Sequence, residues 1–131
     1  EGLLLLTNDG DFSLKLTHPR YGVSKTYHVL VVGKAIPEAL TKMKKGVLLE
    51  DGYAKALSAQ VLSHGSDGVW IDVVLLEGKK REIRRMCATL HLHVVRLIRV
   101  AIGDVTLGDL KPGEWRVLSA TEVKKLKTPS R

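Results

Sequence analysis

The chain has 131 residues, the size of one domain, and its 21 Lys and Arg against 14 Asp and Glu leave a formal charge of +7. Apolar residues make up 44% of it, which excludes wholesale disorder, and no apolar run reaches the roughly 18 residues that a membrane-spanning helix needs. One cysteine, Cys87, excludes an internal disulfide framework, and with no signal-peptide pattern at the start a reduced, cytoplasmic setting is expected.

The chain opens without Met on Glu1-Gly2-Leu3-Leu4-Leu5-Leu6-Thr7, and four consecutive leucines predict a strand buried on both faces. A buried strand at the very first residue implies that the natural protein continues upstream. Asn8-Asp9-Gly10-Asp11 is a turn signal, and Asp11 is placed to cap a short helix through Leu16. Pro19 pushes His18 out of helical geometry, so His18-Pro19-Arg20-Tyr21-Gly22 reads as a loop. Residues 25–32 (KTYHVLVV) are β-branched and aromatic and predict a strand with Lys25, Tyr27, Val29 and Val31 on one face. A helix is predicted over 37–45, with Pro37 in its first turn and Gly46 after its end. Residues 47–55 predict a hairpin around Asp51-Gly52. Strands over 56–63 and 68–77 are joined by His64-Gly65-Ser66-Asp67. A helix follows from Arg81 to about Leu90, then a long strand over 93–102. A last strand is expected over 114–118, and Ser119 caps a terminal helix with Glu122 in the capping-box position. Irregularly interspersed strands and helices predict an α+β fold: one mixed, mainly antiparallel sheet with a few flanking helices. No internal repeat or linker divides residues 1–131, so a single domain is expected.

The densest chemical signal is Lys79-Lys80-Arg81-Glu82-Ile83-Arg84-Arg85-Met86. On a helix, Ile83, Met86, Cys87 and Leu90 form one buried stripe. Arg81 and Arg85 then lie one turn apart on the other side, and Arg84 sits at the stripe's edge, within reach of a cleft between helix and sheet. Five cations in seven residues beside a helix N-terminus suit phosphate contacts, and they equally suit a solvated basic face. A pI near 9.7 favours a polyanionic partner on the same terms. The long strand carries Arg96 on one face and Arg99 with Leu97 on the other. Asp72, among apolar neighbours, reads as an edge or Arg-paired residue before it reads as catalytic. Asp9 and Asp11 fit a turn, His91 and His93 lack a metal-ligand pattern, and Cys87 fits the core, so no metal site is indicated. No glycine-rich nucleotide loop occurs.

The blocks Gly2-Leu3-Leu4-Leu5-Leu6-Thr7-Asn8-Asp9-Gly10 and Arg81-Glu82-Ile83-Arg84-Arg85-Met86 resemble the pseudouridine synthases of the ribosomal small- and large-subunit branch. His18-Pro19-Arg20, Lys25-Thr26-Tyr27, Arg96-Leu97-Ile98-Arg99-Val100 and the run from Leu107 to Trp115 continue the resemblance in order across nearly the whole chain. It implies the catalytic-domain fold of that family, with residues 1–131 its C-terminal major part, and isomerisation of a uridine in ribosomal RNA to pseudouridine. The REIRRM block leans toward the large subunit. The resemblance implies no metal or organic cofactor, a ribosomal RNA partner, no membrane, and a base flipped out of its stack; a monomer is expected. The family's nucleophilic aspartate, in a G-R-L-D-x-x-T motif, directly precedes the leucine block, so it is expected upstream of Glu1 and the chain alone is expected to be inactive. By the resemblance, Tyr27 stacks on the target base and assists loss of the C5 proton, Arg84 pairs with that aspartate, and Leu97 lines the pocket. Arg20, Lys79, Lys80, Arg81 and Arg85 are the candidate RNA contacts. A non-catalytic RNA-binding module and a ribosome-associated adaptor are the alternatives.

Overall fold

A computed structural model describes residues 2–6, 23–76, 81–111, 114 and 116–127. Strand β1 (Lys25–Val32) is followed by helix α1 (Ile36–Lys45), the hairpin β2 (Val47–Leu49) and β3 (Gly52–Ala54), and strands β4 (Ser58–Gly65) and β5 (Gly68–Leu75). Helix α2 (Glu82–Thr89), strands β6 (His93–Ile102) and β7 (Val105–Thr106), and helix α3 (Ala120–Lys127) complete the order. Five strands form one sheet in the order β4-β5-β1-β6-β7, each neighbouring pair antiparallel. A single parallel bridge between Gly2 and Arg99 makes the sheet mixed, in the α+β class expected.

The two-residue alternation of β1 and β5 decides which face is buried. Val29, Val31, Ile71 and Val73 have no exposed surface, and their partners across the ladder, Val29 with Ile71 and Val31 with Val69, lie on the same side. Against that face pack Ala39, Leu40 and Met43 of α1, Val47, Leu49 and Ala54 of the hairpin, and Ile83, Met86 and Cys87 of α2. Each fully buried aliphatic side chain here contributes about 1.5–3 kcal/mol relative to exposure. A second, smaller cluster joins Leu3, Val23, Ile102, Val105 and Leu126 beyond the other end of β1.

Helix ends follow local chemistry. In α1, Pro37 occupies the first turn, Glu38 faces the positive end of the helix dipole, and Lys42, Lys44 and Lys45 lie in the last turn. Helix α2 closes without glycine: His91 takes φ 61°, its N–H donates to the Ala88 carbonyl at 3.1 Å, and the Leu92 N–H donates to the Cys87 carbonyl at 2.8 Å. The capping box of α3 is present in full. The Glu122 N–H donates to Ser119 Oγ at 3.1 Å, and the Ser119 N–H donates to Glu122 Oε1 at 2.9 Å.

Three expectations require correction. Residues 3–6 form no strand: Leu3 is buried, but Leu4 and Leu6 are 69% and 87% exposed, and among the described residues the backbone pairing of this segment is with Arg99 of β6. The described residues of 114–118 are irregular, and the extra pairing in this part of the chain is the short β7, which folds back on the end of β6. Asp72 is at neither an edge nor an arginine. It lies in a strand flanked on both sides, across from His28 and Gln60, with Oδ1 buried and without a hydrogen bond among the described residues. The helix predicted from Asp11 and the loop at His18-Pro19-Arg20 lie outside the described residues.

Candidate active site

Strands β1 and β6 and helix α2 bring the candidate residues to one side of the sheet. Tyr27 points to the packed face of β1, half-buried, and packs against the main core at its margin. Across the ladder it stands between Val73 of β5 and Arg99 of β6. Leu97, also half-buried, is opposite Val29 and packs against the same core. An aromatic ring and a leucine side chain at the border of a packed core form a surface onto which a planar base can lie.

Arg84 reaches this side from α2. The stripe of Ile83, Met86 and Cys87 is fully buried, and the helical period of 100° per residue sets Arg84 beyond one edge of it. Its side chain is half-buried and has no hydrogen bond or ion pair among the described residues. Arg85 borders the solvent-facing arc at the opposite end and turns toward the hairpin. There its Nη1 and Nη2 donate to Asp51 Oδ1 and Oδ2 at 2.9 and 3.3 Å. This pair raises the guanidinium's pKa, chiefly through the hydrogen bond to Asp51, and it ties α2 to the β2–β3 turn. Although Arg81 stands one turn away, the partner of Arg85 lies 34 residues away in the chain.

Arg81 precedes α2 in a left-handed conformation with φ 52°, exposed to solvent, and its carbonyl accepts the Arg85 N–H at 3.0 Å. An exposed cation at the head of a helix is available to a phosphate. Arg20, Lys79 and Lys80, the remaining candidate RNA contacts, lie outside the described residues. Cys87 is buried in the helix stripe, and burial pushes its thiol up to about 11, so it is a packing residue and no nucleophile. No group of His, Cys, Asp or Glu among the described residues is arranged to hold a metal ion.

Two residues of this face were not singled out as site residues from the sequence. Lys25, two positions before Tyr27 on the same side of β1, is 8% exposed, and its Nζ donates to the Val23 carbonyl at 3.3 Å. Burial, and then the charge of Arg99, lower its pKa. Arg99 is clasped to the N-terminal segment: its Nε donates to the Leu3 carbonyl at 2.8 Å, and the Leu3 N–H donates to the Arg99 carbonyl at 2.7 Å. Both were legible by alternation, which places Lys25 with Tyr27 and Arg99 with Leu97.

The profile of the RNA pseudouridylate synthase family matches residues 1–89. The chain belongs to that family. It is 40% identical over 126 residues to an RNA pseudouridine synthase of Aquifex aeolicus, covering 96% of this chain and 51% of the relative. It is 37% identical over 130 residues to ribosomal large subunit pseudouridine synthase E of Vibrio parahaemolyticus, covering 88% and 55%. The crystal structure of a pseudouridylate synthase superposes with a TM-score of 0.82 at 34% identity, covering 95% of this chain and 54% of that one. The chain thus spans about half the length of these relatives.

Proposed function

We propose that this chain is the major part of a catalytic domain that isomerises a uridine of ribosomal RNA, in the large subunit, to pseudouridine. The reaction breaks the C1′–N1 bond and forms C1′–C5; a proton leaves C5 and N1 gains one. Tyr27 offers its ring to the flipped base and its hydroxyl to the C5 proton, and Leu97 forms the apolar wall beside it. Arg84 holds the carboxylate nucleophile charged, since a desolvated carboxylate needs a cation within a few ångströms. That carboxylate is supplied from ahead of Glu1, so residues 1–131 bind and orient without turning over. The reading assigns no metal or cofactor and places the protein in the cytoplasm as a monomer.

The observation that carries this reading is that Tyr27 and Leu97 pack against the same core into which Ile83, Met86 and Cys87 of α2 are buried, within a chain of this family. The test is tritium release from [5-³H]uridine-labelled ribosomal RNA by this chain beside the upstream-extended protein. Release by the extended protein alone is expected. Release by neither would leave an RNA-binding module, and release by this chain would place the nucleophile within it.

A further inference from the structure

The face that carries Tyr27 also carries two clustered cations to which the proposed chemistry assigns no role. Arg99 is directly opposite Tyr27 in the β1–β6 pairing, and Lys25 is two residues from Tyr27 along β1. Strands β1 and β6 contain no acidic residue, and the one in β5, Asp72, belongs to the opposite face. Like charges gathered on a half-buried surface raise its positive potential, and the strand register that sets Arg99 opposite Tyr27 puts it beside Lys25, whose pKa is lowered by burial and then by the charge of Arg99.

Arg99 is also oriented. Its backbone and its Nε are both bonded to Leu3, which fixes the plane of the guanidinium. Gly2 permits this approach, because it holds φ +121° and a Cβ there would lie 2.4 Å from the Arg99 nitrogen. The two terminal groups, Nη1 and Nη2, donate to none of the described residues. A clasp on the Leu3 carbonyl uses only Nε, so the outer fork is surplus to it. A planar fork of two N–H donors fits two oxygens of one anion, and a nearby ammonium strengthens the preference for a charged over a neutral acceptor.

We infer that Arg99, oriented by the Leu3 carbonyl and supported by Lys25, binds a backbone phosphodiester of the RNA beside the target uridine. The inference rests on the proposed reading that RNA occupies this face. It makes Arg99 a substrate-positioning residue whose contribution is to affinity and register.

The test is the binding of a short oligouridylate to the full-length protein across a range of salt concentrations, for wild type, Arg99→Gln and Arg99→Lys. Loss of one phosphate contact on a single strand lowers the slope of log affinity against log salt by about 0.7, and Arg99→Gln should show that drop with affinity about tenfold weaker. Its KM for ribosomal RNA should rise while kcat stays within about threefold of wild type. Arg99→Lys retains the charge and loses the fork, so it should keep the slope and bind several-fold more weakly; wild-type affinity in that variant overturns the inference, even if Arg99→Gln fails to fold. An unchanged slope in a folded Arg99→Gln also overturns it: with kcat reduced, the fork holds a carboxylate of the protein, and with kcat unchanged it only clasps Leu3. A wild-type protein that binds oligouridylate but releases no tritium would refute the isomerase reading alone, leaving the slope to decide Arg99.

Discussion

Replacing Arg84 by alanine separates chemistry from folding on this helix. Arg84 is half-buried at the edge of the α2 stripe and has no hydrogen bond or ion pair among the described residues, so its loss leaves no described group unsatisfied. Alanine is a slightly better helix former than arginine, which offsets part of the packing lost with the aliphatic stem, and the net change in stability should stay within about 1 kcal/mol. Turnover should respond differently. A preorganised donor to a charged group in a water-poor site is worth about 2.7–4 kcal/mol, which corresponds to roughly a hundredfold to thousandfold in rate. Met86, two residues on and without exposed surface, supplies the contrast. Met86→Ala should cost about 2–5 kcal/mol, a large share of the roughly 5–15 kcal/mol that holds a domain together. Urea denaturation and tritium release on the full-length protein measure both quantities. A wild-type rate in Arg84→Ala would refute its role, and a destabilisation equal to that of Met86→Ala would show that Arg84 is a packing residue.

Tyr27→Phe keeps the ring against the core margin and removes the hydroxyl, so tritium release should fall about a hundredfold or more if that oxygen handles the C5 proton; unchanged release would deny it the role. His91→Gly relieves a left-handed conformation worth about 1–2 kcal/mol at the cost of about 0.5–1 kcal/mol of unfolded-chain entropy. A net gain of about 0.5–1 kcal/mol in urea denaturation is expected, and a loss would show that the imidazole itself matters. The Glu122 carboxyl is held down from 4.5 to about 2, first by its hydrogen bond from Arg116 and then by the Ser119 N–H. A depressed acid contributes stability that is complete above 4.5 and lost as pH falls through about 2, so helical circular dichroism from α3 should fade across that window and Glu122→Gln should flatten the change. Iodoacetamide at pH 8 should spare Cys87 in the folded protein and modify it in urea, because its thiol lies at about 11 when buried; rapid native labelling would contradict its place in the stripe.

What the sequence discloses and what it hides divides along the distance between interacting residues. The face shared by Lys25, Tyr27, Val29 and Val31, the α2 stripe and the Ser119–Glu122 box are set by spacings of two to four residues, and each is visible in the letters alone. Arg85 could not be resolved that way, since the Asp51 that holds it lies in another element. The four leucines misled because an unbroken apolar run carries no periodicity: it reads as doubly buried, whereas Leu3 is buried and Leu4 and Leu6 lie in solvent. Asp72 looked like an edge residue because polarity was the sole clue, while its strand is enclosed by β4 and β1. The site itself was half legible. Its residues sit on the expected faces, but the clasp between Arg99 and Leu3 spans 96 positions and has no local signature.

The small cluster that joins Leu3 to Leu126 sets a timetable for the newborn chain. Translation reaches Leu126 well after Leu3, by about 6–25 s at roughly 5–20 residues per second, and until then Leu3 lacks one of the side chains that bury it. The main core, confined to residues 29–92, has all its parts much earlier. A nascent chain can therefore hold the main core packed while Leu3 and its neighbours still face the ribosome surface and the chaperones that gather there, and the Arg99 clasp forms only once β6 has been made.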